Sequence, residues 1–165
     1  MSSITTWYLE MTSPSQLKEV EESKGLIVSE AKVKQFQLNR FLYTYIGAAW
    51  QWFDKLNWTD EQWRDWAEQD ELRTWLAYEA GSPAGFFELN KTSATEVEIA
   101  YFGLAPKFIG KGYGAYLLSQ AVRSAWEWQG TERVWLHTCT LDHGHALRNY
   151  QARGFQVYRE EVEQN

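Results

Sequence analysis

The sequence predicts a mixed α/β domain in which a run of neighbouring strands precedes an alternation of helices and strands. Two observations lead to this prediction. Three strand-like runs between residues 72 and 104 have short connections, and helical and strand-like patterns alternate from residue 113 onward. The chain has 165 residues, 44% of them hydrophobic, which is enough to bury one core without disulfides. We therefore expect residues 1–165 to form a single domain, with a helical part at 1–70 and an alternating part at 71–165.

Three elements are predicted in the first part of the chain. Thr5–Met11 alternates weakly and is interpreted as a strand, and Val33–Ala49 repeats at the three- and four-residue steps of a helix. A second helix, Thr59–Gln69, begins with a capping-box pattern, because Thr59 is followed three residues later by Gln62. The first part is therefore expected to be mainly helical.

The next three elements predict an antiparallel meander. Leu72–Glu79 and Gly85–Leu89 are separated by Ala80–Ala84, whose glycine, serine and proline indicate a hairpin loop. Glu96–Leu104 follows after another short polar stretch, and Pro106 then ends the strand because proline has no N–H for a sheet. Strands so close in sequence are expected to pair with one another.

Helices and strands alternate after the meander. Tyr113–Trp128 has a continuous apolar helical face and is followed by a glycine, and Arg133–Thr138 is a compact strand. His145–Arg153 is a short helix with a glycine at its end, and Phe155–Tyr158 is a last strand. This order completes the prediction of a mixed α/β domain.

Charge and composition exclude several classes of protein. The net charge is −6, from 16 basic and 22 acidic residues, which argues against general nucleic-acid binding. The single cysteine, Cys139, cannot form an intramolecular disulfide, and no apolar run reaches the roughly 18 residues of a membrane span. The first residues do not resemble a secretory signal, so we expect a cytoplasmic protein.

The turn Ile109–Gly114 (IGKGYG) lies between a predicted strand and the predicted helix Tyr113–Trp128. Backbone N–H groups at a helix start form an anion site, and glycine lets phosphate oxygens approach closely. A Walker A loop is excluded because Gly112, and not serine or threonine, follows Lys111. The spacing also departs from the dinucleotide fingerprint, which leaves a phosphate site or a glycine-rich helix start used for packing.

Two segments resemble the GNAT superfamily of N-acetyltransferases. EIAYFGLAPKFIGKGYGAYLL (Glu98–Leu118) resembles its acetyl-CoA signature, with Gly112 and Gly114 at the last two defined positions. Ile109 stands where the family usually has glutamine or arginine. HALRNYQARGF resembles the second signature and carries its tyrosine as Tyr150, while His143 replaces the usual asparagine. The resemblance covers about residues 72–158 and implies a mostly antiparallel central sheet flanked by helices.

The resemblance implies acetyl transfer from acetyl-CoA to an amine, and it assigns roles to individual residues. Glu98 is the expected base, with Glu96 and Glu88 as alternatives, and Tyr150 is the expected acid for the departing thiolate. The backbone at 102–104 is expected to stabilise the oxyanion. The predicted cofactor contacts are Phe102, Gly103, Leu104, Ile109, Gly110, Lys111, Gly112, Tyr113, Gly114 and His143.

Six of the ten tryptophans fall between residues 50 and 75. Trp63 and Trp66 share a helical face and are expected to belong to the core. Trp50 and Trp52 fall between two predicted helices, where the family has its acceptor-facing loops. Aromatic walls suit an apolar, aromatic or cationic molecule, so Trp50, Trp52 and Tyr43 are the predicted acceptor contacts.

Two other functions remain as alternatives. The domain could be a non-catalytic acyl-CoA sensor or scaffold, because Ile109 and His143 both depart from the family pattern. A zinc enzyme is a weaker alternative based on His137, Cys139, His143 and His145, and we predict no metal because these residues come from one short stretch. The expected partner is a small-molecule or peptide amine, and exposed aromatic residues together with the family's habit suggest a homodimer.

Overall fold

A computed structural model describes residues 3–142 and 144–164 of the chain. Its centre is a seven-stranded sheet in the order β2-β3-β4-β5-β6-β1-β7. The strands are β1 (Ser3–Met11), β2 (Leu26–Glu30), β3 (Leu72–Glu79), β4 (Ser82–Lys91), β5 (Glu96–Leu104), β6 (Arg133–Cys139) and β7 (Gln156–Gln164). The helices are α1 (Phe36–Trp50), α2 (Asp60–Ala67), α3 (Tyr113–Glu127) and α4 (Ala146–Ala152). The mixed α/β fold with a mostly antiparallel sheet is therefore confirmed.

Strands β5 and β6 form the parallel pair in this sheet, and they separate soon after they meet. Their ladder runs from Glu96 opposite Arg133 to Glu98 opposite Trp135. Both strands continue, β5 to Leu104 and β6 to Cys139. The sheet consequently opens a gap beyond Glu98, on the side where the predicted catalytic residues lie.

Helices cover both faces of the sheet, and two glycines reveal which helix lies on which face. A Cβ atom at Gly85 would lie 3.1 Å from Leu117 of α3, whereas one at Gly103 would lie 2.8 Å from Ile46 of α1. Gly103 pairs with Phe86, the residue next to Gly85, and neighbouring strand residues point to opposite faces. Helix α3 therefore packs on one face and α1 on the other, with the core of the domain divided between them.

Most predicted elements are confirmed, including the capping box of α2. The Thr59 hydroxyl oxygen accepts from the Gln62 backbone N–H at 3.2 Å, and the Gln62 side chain accepts from the Thr59 N–H at 2.9 Å. Within the described residues, no helix combines the length and apolar character needed to span a bilayer.

The strands differ from the sequence prediction in two places. The expected five-residue loop after β3 is a tight turn, because Ala80 and Gly81 both adopt left-handed backbone angles (φ of 50° and 84°) and β4 starts at once. Strand β2 was not predicted at all. It is a short edge strand that buries Leu26 but exposes Ile27, so its five residues carry little periodic signal.

Candidate active site

A cleft of about 570 Å³ fills the gap between the separating strands β5 and β6. Most of its lining comes from the α1–α2 loop, β5, β6 and the region around α4, and Trp50 of α1, Trp66 of α2 and Asn90 of β4 complete it. Glu98, Tyr101, His137 and Tyr150 are among the lining residues. The cleft thus brings together side chains that are far apart in the sequence but able to take part in proton transfer.

Glu98 lies on β5 at the point where the two strands separate. Its side chain is 13% exposed, and His137 on β6 approaches it, with Nε2 3.8 Å from a carboxylate oxygen. Burial raises the pKa of Glu98, while His137, a hydrogen bond from Asn90 and the charge of Lys55 act in the opposite direction. A carboxylate with a raised pKa and access to the cleft can accept a proton from an ammonium group.

The two alternative glutamates lie outside the residues that line the cleft. Glu96 forms a surface ion pair with Arg133 at 2.9 Å. Glu88 is fully buried, and its two carboxylate oxygens accept hydrogen bonds from Asn39 and Trp66, each at 2.8 Å. Of the three glutamates considered, Glu98 alone lines the cleft. The other two lie outside it and bind neighbouring side chains.

A bulge in β5 places Glu98 and Tyr101 on the same face of the sheet. Glu98 pairs with Asn90, and Tyr101 pairs with Glu88. Glu98 and Tyr101 are three positions apart in β5, whereas their partners are only two positions apart in β4. The extra residue is Ala100, which the register skips. The bulge also lies beyond the end of the β5–β6 ladder, so among the described residues no strand is paired with β5 on that side.

Tyr150 projects from α4 to the junction of the cleft with a second, smaller cavity. It is buried, and its ring packs edge-on against Phe102 with centroids 6.2 Å apart. Burial raises the pKa of its hydroxyl, and the nearby charge of Asp142 raises it further. Tyr150 therefore stays protonated at neutral pH and can donate to a negatively charged atom.

The second cavity, of about 190 Å³, leads from this junction to the glycine-rich turn. Gly110 and Gly112 have left-handed φ values of 80° and 89°. Apart from its two chain neighbours, no described residue has an atom within 4 Å of a Cβ built on Gly110. The first N–H groups of α3 have no partner inside the helix and carry the positive end of its dipole. An open turn of this kind is suited to a diphosphate, with the cavity behind it for a flexible arm.

The predicted cofactor residues divide into those on the cavity and those beside it. Phe102, Leu104, Ile109, Gly110, Gly112 and Gly114 line it. Lys111 presents its carbonyl oxygen to Lys24, Tyr113 packs on Phe108, and Gly103 faces α1 on the other side of the sheet. His143 lies outside the described residues. Asn149, which was not predicted, holds α4 to the turn through a hydrogen bond to the Gly114 carbonyl at 3.2 Å.

The predicted acceptor residues have different positions. Trp50 and Trp52 line the cleft, and Trp50 also borders the second cavity. Tyr43 does not line it: the side chain is 2% exposed, its hydroxyl donates to Asp54 at 2.8 Å and accepts from the Lys55 backbone N–H at 2.9 Å. The prediction of Tyr43 as a direct contact of the acceptor was wrong, because this side chain packs beneath the α1–α2 loop and does not face the cleft.

Lys55 is the side chain that sequence analysis missed on this side of the cleft. Its ammonium group lies 4.5–4.9 Å from the ring centroids of Trp58, Trp66 and Tyr101, a set that we call the Lys55 cage. It also donates to the Tyr101 hydroxyl at 2.6 Å and to Asp54 at 3.0 Å. These contacts fix the α1–α2 loop against β5, and a lone lysine among aromatic residues was the one sequence signal for them.

The zinc alternative finds no support in the part of the chain that the structure describes. Among these residues no three histidine, cysteine or acidic side chains converge on one point. His137 faces Glu98, while Asp142 accepts hydrogen bonds from the Thr138 hydroxyl and the Cys139 backbone N–H. The stretch is better described as one wall of the cleft.

Comparison with known proteins places the chain among acetyltransferases. Residues 36–155 match the model of the acetyltransferase (GNAT) family. A GCN5-related N-acetyltransferase from Kribbella flavida aligns over 96% of this chain with a TM-score of 0.69 and 20% identity, and one from Sphaerobacter thermophilus over 98% with a TM-score of 0.73 and 19% identity. This chain covers 56% and 51% of those two chains, about half of their length.

A shorter structure is also similar. An aminoglycoside acetyltransferase from an uncultured soil metagenomic sample aligns over 79% of this chain and 88% of its own, with a TM-score of 0.62 and 15% identity. At these identities the structural likeness establishes the fold alone. No curated protein matches the chain by sequence.

Proposed function

The chain belongs to the acetyltransferase (GNAT) family, and on that basis we propose that it transfers the acetyl group of acetyl-CoA to a primary amine of a small molecule or peptide. One observation carries the proposal. The cleft that contains Glu98 and the cavity that ends at the glycine-rich turn share Trp50, Phe102 and Tyr150 in their walls. An acetyl group at this junction would meet an amine from the cleft side and keep its CoA arm on the other side.

Acetyl transfer requires that the amine first lose a proton, because an ammonium nitrogen has no lone pair. Glu98 accepts that proton, directly or through a water molecule, and its raised pKa makes it a stronger base than an ordinary glutamate. His137 lies beside this carboxylate, with Nε2 3.8 Å from one of its oxygens. The amine nitrogen then bonds to the thioester carbonyl carbon.

Negative charge moves to the carbonyl oxygen as this bond forms. Backbone N–H groups of β5 near 102–104, on the side that β6 has left, are the proposed donors to that oxygen. The carbon–sulfur bond then breaks, and Tyr150 supplies a proton to the departing thiolate. The nitrogen, now part of the amide, loses its second proton, which restores the Tyr150 hydroxyl directly or through solvent. The products are an N-acetylated amine and free CoA.

On the acceptor side, Trp52 and Trp66 offer aromatic walls, and Glu98, Asp54 and Asp142 place three carboxyl groups on a cleft with one lysine. This combination favours an acceptor that carries positive charge beside an apolar or aromatic part. The acceptor's identity is left to experiment.

The test is release of free CoA thiol from acetyl-CoA in the presence of a panel of primary amines that includes aminoglycosides, polyamines, arylalkylamines and lysine peptides. The proposal expects thiol release with at least one cationic amine and a matching acetylated product by mass spectrometry. Saturable binding of acetyl-CoA with no turnover on any amine would instead support the non-catalytic acyl-CoA sensor.

A further inference from the structure

Lys24, from the loop before β2, lies directly over the glycine-rich turn. Its ammonium nitrogen donates a hydrogen bond to the Lys111 carbonyl oxygen at 3.2 Å. A Cβ atom built on Gly112 would lie 2.5 Å from the same nitrogen. The side chain therefore occupies the space above Gly112 that a larger residue at that position would fill, although 87 residues separate Lys24 from Lys111.

The backbone turns at Lys24 and Gly25, just before β2 begins. Lys24 has a left-handed φ of 55° and is followed by Gly25 with a φ of 86°. Residues other than glycine rarely adopt this region, because Cβ approaches the following carbonyl oxygen. Immediately afterwards Leu26 is buried and starts β2, which pairs with β3. The strand fixes the end of the loop, and the lysine side chain extends from this turn to the Lys111 carbonyl oxygen.

Position 109 contributes no polar side chain to the glycine-rich turn. Where the family pattern has a glutamine or arginine at the edge of the phosphate turn, this chain has an apolar side chain that lines the cavity. An ammonium group has three N–H donors, and the bond to Lys111 uses one of them. The others can reach an anion held by the turn, where the positive end of the α3 dipole already favours negative charge.

From these observations we infer that Lys24 binds the diphosphate of acetyl-CoA, replacing from a distant loop the polar side chain that position 109 lacks. The inference rests on the proposed function. A side chain at position 112 would crowd the lysine, in addition to the strain that the left-handed φ of 89° imposes on any residue other than glycine. Lys24 is a binding residue in this account and takes no part in the chemical step.

The test is calorimetric titration of the native protein, Lys24→Ala and Lys32→Ala with acetyl-CoA and with acetyl-pantetheine, which lacks the diphosphate. Lys32 is an exposed lysine just beyond the other end of β2, so its variant is a matched loss of charge. Alanine and lysine are equally disfavoured at the left-handed backbone angle of position 24, so the Tm of Lys24→Ala should match that of the native protein. We expect Lys24→Ala to raise the Kd for acetyl-CoA about tenfold and leave acetyl-pantetheine unchanged.

The outcomes separate this inference from the proposed function. An unchanged Kd for acetyl-CoA in Lys24→Ala, or an equal loss for acetyl-pantetheine, overturns the role of Lys24 while native binding of acetyl-CoA stands. An equal loss in Lys32→Ala would also overturn it, because the effect would then be one of overall charge. Absence of acetyl-CoA binding by the native protein overturns both proposals together.

Discussion

The side of the site proposed to bind acetyl-CoA (the donor side) and the side proposed to bind the amine (the acceptor side) are built from different chemical groups. The donor side is mainly backbone: a turn with Gly110 and Gly112 in left-handed conformations, the start of α3, and the free edge of β5. The acceptor side consists of side chains from a loop, with Lys55 held among three aromatic rings and Asp54 bound by two tyrosines. A backbone site suits a ligand that is always the same, whereas a side-chain site can be altered residue by residue to accept a different amine.

Glu98 stands where the two sides meet, and its loss is expected to have the largest effect. Glu98→Gln keeps the shape of the side chain but removes the base, so we expect kcat to fall about a thousandfold. The measurement is free-thiol release with the best amine of the panel. Glu96→Gln, which alters a glutamate outside the cleft that is paired with Arg133, is the control and should retain near-native kcat. Equal rates for the two variants would rule out Glu98 as the base.

The pH dependence of the proposed reaction follows from the same residue. Burial raises the pKa of Glu98, and the base must be ionised to act. We therefore expect kcat/KM to fall as pH decreases through that raised pKa, at a higher pH than an ordinary glutamate would produce. A profile that stays level down to pH 5 would contradict the assignment.

Tyr150→Phe should have the next largest effect. Phenylalanine keeps the packing against Phe102 but removes the proton donor, so kcat should fall about a hundredfold while the acetyl-CoA Kd stays within about twofold. Thiol release and calorimetry measure the two quantities. A fall in donor affinity with kcat intact would make Tyr150 a packing residue.

Substitution in the glycine turn should affect the donor side alone. Gly110→Ala and Gly81→Ala introduce the same strain, since both positions have a φ near 80° and open space around a Cβ. Both should lower the Tm by similar amounts, but Gly110→Ala alone should raise the acetyl-CoA Kd, about tenfold or more. Similar acetyl-CoA affinities in both variants would show that the turn does not hold the diphosphate.

Trp52→Ala should affect the acceptor side alone. Loss of an aromatic wall is expected to raise the amine KM about tenfold with the acetyl-CoA Kd unchanged. Trp75→Ala is the matched control, because Trp75 stacks on Phe87 at 5.1 Å, away from the cleft. If Trp52→Ala lowers the Tm and weakens the binding of both substrates alike, Trp52 is a core packing residue and not an acceptor contact.

The smallest effect concerns stability. A carboxyl group whose pKa is raised in the folded state contributes stability below its unfolded pKa of about 4.3 and loses that contribution as pH rises through the folded pKa. Glu98 therefore destabilises the protein at neutral pH. Glu98→Gln should raise the Tm at pH 7.5, and the gain should disappear below about pH 4. A lower Tm at pH 7.5 would contradict this.

The sequence was informative where glycine spacing and periodicity determine structure. The capping box of Thr59, the meander and the glycine-rich turn were all predicted from local patterns, because backbone conformation there depends on neighbouring residues. The positions of Glu98 and Tyr150 beside the cleft were predicted through the family resemblance. Their roles in catalysis stay predictions.

Long-range geometry could not be predicted in the same way. The bulge at Ala100 leaves no mark on residue spacing, yet it determines that Tyr101 shares a face with Glu98. The approach of Lys24 to Lys111 joins two distant loops. Tyr43 shows the converse: its aromatic character suggested a pocket wall, but the helical turn places it beneath the loop.

The central claim is that this chain holds acetyl-CoA at the glycine-rich turn with its acetyl group beside Glu98 and Tyr150. The most direct measurement is calorimetric titration of the native protein with acetyl-CoA, repeated on Gly110→Ala. The account predicts one saturable site per chain with a Kd between about 1 μM and 1 mM, weakened in the variant. A titration of the native protein without saturable binding would contradict it.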